Sequence, residues 1–314
     1  MPARVLIAVG AGVASALIFS LLLTGSPMAI IVTPFTMLPI FLIGLSGGTV
    51  QALFAAATAT ILIGGLGGVM GAATYAAAEA IPALALSSQA IRQRPGQDGQ
   101  PVWQSPGRLM GLATAYAVFL LVALFIGFSG ADGGFVGMLE GEVAASLSPM
   151  ITEGQEADRL VADLSAQVAK AVPGSISSWW LFITIINLGI AQNLLRRWKQ
   201  NIRPSLIMLG ADTPKWLMVA VGAALLIGLL AGGTAGVAGW NIAIVLAMPY
   251  FFVGLTVIHA MSRNWGPGPI FLGGFYIVLL FRGWPALIAV ALGFAEQWVK
   301  LRDKIGGRTP PRRL

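Results

Sequence analysis

Long uncharged apolar runs, joined by loops whose charges are sorted by sign, constrain this chain more than any other feature. A helix that spans a bilayer needs about 20 apolar residues, and loops on the cytoplasmic side collect Lys and Arg. Runs at 5–23, 27–45, 49–63, 69–91, 109–128, 177–195, 216–230, 240–259, 269–281 and 284–299 fit such spans. With both termini inside, ten crossings leave only Arg159, Lys170 and Arg282 outside, out of 19 Lys and Arg. The segment 129–174 lies on the outer side and carries Asp132, Glu140, Glu142, Glu153, Glu156, Asp158 and Asp163. All nine tryptophans sit at or just beyond proposed span ends, as interfacial anchors do.

Composition excludes several functions. Of 314 residues, 57% are hydrophobic and 10% charged, against about 25% charged in a soluble domain. The net charge of +7 is distributed over short loops beside apolar runs, so no nucleic-acid partner is expected. There is no cysteine and one histidine, so neither a disulfide nor a His/Cys metal site is expected. No Gly-Lys-Ser or Gly-Lys-Thr occurs, so an ATPase, if one is needed, is a separate chain. No nucleophile–base set is visible, and the expectation is no enzyme and no cofactor.

The expected fold is therefore all-α, a polytopic transmembrane helix bundle of about eight to ten spans. It forms one integral membrane domain, 1–314, with an extracytoplasmic acidic segment at 129–174 and a basic cytoplasmic tail at 302–314. The first run resembles a signal peptide and is expected to be retained as a span. Gly64, Gly65, Gly67 and Gly68 mark a tight reversal between the third and fourth spans. In the acidic segment, Ala157, Leu160, Val161, Leu164, Val168 and Val172 recur at helical spacing. They predict one amphipathic extracytoplasmic helix against the membrane or the bundle, stopped by Pro173 and Gly174. The last pair, 269–281 and 284–299, predicts a hairpin of two short helices; the alternative is a single kinked span.

Glu79 stands near the middle of the fourth span, with Tyr75 one turn before it and Pro82 just after. An intramembrane carboxyl is a functional candidate by default, here a ligand contact or a proton site. The alternative is a structural carboxyl beside a proline kink. Pro34 and Pro39 interrupt the second span, which predicts either a pocket or a kink satisfied by the Thr33 and Thr36 hydroxyls. The ligand-binding candidates are Phe35, Thr36, Tyr75, Glu79 and Asn187. Asn187 and Asn241 are equally read as helix-to-helix glue. His259 is read as an interfacial hydrogen-bonder, and Glu296 as a partner for Lys300 four residues on. Ala8, Gly12 and Ala16 form a small-residue face on the first span, suited to a partner helix or to packing within the chain.

The order of these features resembles the YybS-like family of uncharacterised bacterial membrane proteins, also called domain of unknown function 2232. The features are four dense spans, a basic Pro/Gly loop, a long acidic outer segment, the span end Asn193-Leu194-Leu195-Arg196-Arg197 and a final Gly/Pro-rich hairpin. That family is distantly similar to the substrate-binding membrane subunits of energy-coupling-factor transporters. The similarity implies a vitamin-sized ligand, a membrane partner subunit docked through Ala8, Gly12 and Ala16, and a separate ATPase. The expected function is a transporter-like small-molecule-binding subunit in a bacterial inner membrane. A proton-coupled carrier and a non-transport envelope scaffold are the alternatives.

Overall fold

Among the residues described in a computed structural model (2–96, 99–151, 155–204, 213–263 and 265–305), nearly every element is a helix. The basic tail beyond residue 305 and Glu153 lie outside the described residues. The helices leave large apolar side chains uncovered; Val69 is 88% and Ile30 79% exposed. In water such surfaces would associate, whereas lipid is as apolar as they are. Six helices are long and apolar enough to cross a membrane, or seven when one sharply bent pair counts as a single span. The chain is an integral membrane protein built as an all-α polytopic bundle.

The polypeptide divides into two compact units, 1–116 with 180–207, and 117–179 with 208–314. In the first unit α1 (Pro2–Ser20) precedes a broken second span: α2 (Pro27–Val32), a 3-10 turn (Thr33–Phe35) and α3 (Leu38–Gly47). The helix α4 (Thr49–Tyr75) runs through a π-helical turn (Ala76–Ala80) into α5 (Ile81–Ala90). Drawn straight, the 42 residues of Thr49–Ala90 would reach about 63 Å, twice the hydrocarbon core. They are not straight. Gly68 takes φ 66°, ψ −166°, and a Cβ built on Gly64 would lie 3.2 Å from Ala72 Cβ, eight residues on. The chain reverses here, at the expected glycines, because only glycine adopts that backbone without strain.

A short antiparallel hairpin follows, β1 (Gln93–Pro95) with β2 (Pro101–Trp103), inside what the sequence suggests is plain loop. Then come α6 (Pro106–Gly127), α7 (Gly134–Leu147) and α8 (Gln155–Arg197). The acidic segment thus holds two helices where one is expected. Its amphipathic helix does not stop at Pro173–Gly174 but continues as α8. Its apolar stripe is not covered by the protein, which leaves the membrane of the two expected supports. Ser165 and Ala169 are buried, whereas Leu160, Leu164 and Val168 stay exposed.

The second unit contains α9 (Lys215–Leu230), α10 (Gly233–Arg263), α11 (Gly268–Arg282), α12 (Pro285–Val299) and α13 (Leu301–Ile305). Glycines bring its backbones together. A Cβ on Gly254 would collide with Ala289 O, one on Gly293 with Tyr250 O, and one on Gly239 with Gly228 N. The Tyr250 and Phe294 rings stack at 3.8 Å across α10 and α12. Helices α11 and α12 bend by 117° about Gly283 and Trp284. The expectation of eight to ten spans counts as separate crossings the two arms of the Gly68 reversal, the 16-residue α9, and each member of this bent pair.

Glu296 pairs with Arg302 rather than with Lys300: Arg302 Nε lies 2.7 Å from Glu296 Oε1, and the Arg302 backbone N–H donates to Oε2. Lys300 adopts a left-handed backbone (φ 48°), which ends α12 and turns Arg302 back onto the carboxylate.

Candidate functional site

Proline is the local cause of the geometry around Glu79. Pro82 has no N–H, so Ala78 O, four residues back, loses its helical partner. The Ile81 N–H bonds to Ala76 O, one residue beyond its usual acceptor, which frees Ala77 O as well. Side chains from two other helices fill both vacancies. Trp180 Nε1–H donates to Ala78 O at 2.8 Å, and Tyr116 O–H donates to Ala77 O at 2.7 Å. In hydrocarbon an unpaired carbonyl costs several kcal/mol, so these contacts hold the π-turn in place. The two aromatic rings pack together at 6.0 Å.

Glu79 lies within that turn. It is half-buried, and among the described residues no side chain or backbone group pairs with its carboxyl. One turn earlier, Tyr75 is fully buried and joined to the broken second span. Ser15 Oγ–H donates to Thr36 O at 2.6 Å, and this leaves Tyr75 O–H to donate to Ser15 Oγ, also at 2.6 Å. The Phe19 ring meets Tyr75 edge-on at 5.0 Å. Asn187 reaches the same break from α8: its Nδ2 donates to Pro34 O at 2.7 Å and to Ile183 O at 2.8 Å. Its Oδ1 is buried without a partner. Thr184, one turn before, donates to Met37 Sδ.

Of the five ligand candidates, the structure therefore joins Thr36 and Tyr75 through Ser15 and brings Asn187 to the same broken span. Glu79 follows Tyr75 by one turn, and Phe35 is 38% exposed beside Thr36. The hydroxyls of Thr33 and Thr36 bond locally, to Ala29 O and Thr33 O. Sequence reasoning missed Ser15, Tyr116 and Trp180. The signal for the last two was Pro82, since a proline inside a span announces orphaned carbonyls but not the donors that reach them.

The small-residue face of α1 packs within the chain. Ala8 and Ala16 are buried, and a Cβ on Gly12 would collide with Ala55 O of α4. His259 donates from Nδ1 to Leu255 O at 2.8 Å, which leaves Nε2 to accept from Tyr276 O–H at 3.5 Å. Among the described residues no group of His, Asp and Glu could hold a metal ion.

A family model described as "Predicted membrane protein (DUF2232)" matches residues 13–295. The chain belongs to that family. The match runs from within α1 to within α12, so it covers the site and most of both units. No curated protein and no solved structure matches it.

Proposed function

We propose that this family member is a transporter-like, small-molecule-binding membrane subunit without catalytic activity. The observation that supports it is Glu79, a partly accessible carboxyl inside an apolar span with no protein partner among the described residues. Carboxyls at that depth are held by a partner or by function. A ligand with a cationic or hydrogen-bond-donating group would satisfy it. The buried Oδ1 of Asn187 offers a second acceptor in the same unit. The distant similarity to substrate-binding subunits of energy-coupling-factor transporters points the same way. Where ATP drives the transport, a separate partner chain would bind it, since no Gly-Lys-Ser or Gly-Lys-Thr occurs in the sequence. The sorted charges favour a bacterial inner membrane with both termini cytoplasmic.

Native mass spectrometry of the protein released from mild detergent tests this reading. A small molecule retained by the natural protein and lost from Glu79→Gln supports it. Proton-driven uptake by the isolated protein, abolished in Glu79→Gln, replaces it with a secondary carrier. Envelope proteins retained without any small molecule replace it with a scaffold.

A further inference from the structure

Three guanidinium groups converge on one glutamine at the basic end of the first unit. Gln104 is 5% exposed and follows β2. Its backbone carbonyl accepts from Arg203 Nη2 at 3.2 Å. Turned one way, its side-chain oxygen accepts from Arg94 Nε at 3.0 Å and Nη2 at 3.1 Å; turned the other way, it accepts from Arg108 Nη1 at 3.4 Å. One amide oxygen cannot serve both forks, so either orientation leaves a guanidinium short of an acceptor.

Arg203 is the fixed member of the cluster. It is 5% exposed, donates to Ala90 O at 2.8 Å and lies 5.9 Å from the Trp103 ring centre. Its own carbonyl is held by Asn201 and Gln192. Its Nε also donates to Pro204 O at 3.3 Å, and burial lowers its pKa from the usual guanidinium value. Among the described residues no carboxylate pairs with Arg94, Arg108 or Arg203. In the sequence, 92–108 contains one acid, Asp98, against Arg92, Arg94 and Arg108. Even full use of that acid leaves a cationic surplus. Arg94 and Arg108 are exposed and Arg203 is buried, so an anion arriving from outside meets the exposed guanidinium that Gln104 leaves unserved, beside a fixed cation. Planar forks favour the paired oxygens of phosphate.

We propose that Arg94, Arg108 and Arg203, gathered around Gln104, form a binding site for a phosphate group. The phosphate belongs either to an anionic lipid headgroup or to a free phosphorylated solute, and Trp103 beside it is suited to the membrane interface. Natural protein and the double variant Arg94→Gln/Arg108→Gln, both changes on exposed side chains, are compared in two experiments. The first uses nanodiscs of phosphatidylcholine doped with phosphatidylglycerol and counts retained lipids by native mass spectrometry. The second titrates inorganic phosphate against thermal unfolding in detergent, with sodium chloride at matched ionic strength. Retention of phosphatidylglycerol weakened about tenfold or more in the variant identifies the lipid source. Stabilisation by phosphate over chloride, lost in the variant, identifies the solute. If the variant matches the natural protein in both, the proposal is overturned. The Glu79 site takes no part in either readout, so the two ideas fail independently.

Discussion

Two proline-disturbed helices, one in each unit, are repaired in opposite ways. At Pro82 the ladder loosens into a π-turn, and two aromatic donors from other helices each cap one freed carbonyl. At Pro173 the ladder stays helical because the Asn241 carboxamide is inserted into it. Gly174 N–H would normally bond to Lys170 O; instead it donates to Asn241 Oδ1 at 2.5 Å, while Asn241 Nδ2 donates to Lys170 O at 2.8 Å. Asn241 thus carries the bond across by its own side chain. A Cβ on Gly174 would lie 2.7 Å from that oxygen, so glycine lets the amide in. The Pro173 repair engages Asn241 Oδ1 and also ties Nδ2 to Val237 O. The Pro82 repair leaves a carboxyl unpaired in the middle of the turn. Asn241 leaves none of its polar atoms unpartnered, whereas the Pro82 turn holds a carboxyl with acceptor capacity left over, which the proposed ligand would use.

The largest expected effect comes from removing the support beneath the satisfied break. Gly254→Val forces α10 off α12 and should destabilise by about 3 kcal/mol or more, read as loss of monodisperse protein on heating in detergent. Next, Asn241→Leu keeps the shape of the side chain but strands Gly174 N–H and Lys170 O. It should cost about 2–6 kcal/mol, at about 1–3 kcal/mol for each stranded group. At the other break, Trp180→Phe and Tyr116→Phe each strand one carbonyl and should cost about 1–2 kcal/mol apiece by the same thermal assay. If either single change costs as much as Asn241→Leu, the contrast between a two-group and a one-group repair is wrong. Glu79→Gln should change stability least, by under about 1 kcal/mol, because it removes no protein partner. A large loss of stability in Glu79→Gln would make the carboxyl structural and erase the distinction between the two breaks.

Much of this was legible before any coordinates. Apolar runs and sorted charges read out the membrane class, and Gly64–Gly68 read out the reversal, because both are local properties of backbone and solvent. Pro82 and Pro173 were legible as disturbances. Their consequences were not, since Pro173 reads as a stop until Asn241, 68 residues on, is brought beside it. The stripe of Leu160, Leu164 and Val168 was legible as an apolar face, but what covers it was not. Periodicity identifies an apolar face, but only packing decides whether protein or another medium covers it. Glu296 shows the same limit at short range: its partner depended on the left-handed turn at Lys300, not on spacing.

Sequence alone determined the solvent of this chain, its helical class and the position of its single mid-span carboxyl. Insertion into lipid depends on the hydropathy and charge of contiguous segments, and those are written in order. Tertiary structure decided which polar groups are spent and which are left over. Hydrogen bonds such as Trp180 to Ala78, Asn187 to Pro34 and Arg203 to Ala90 join residues far apart in the chain. A donor's reach is a property of three-dimensional proximity, and a one-dimensional pattern does not carry it.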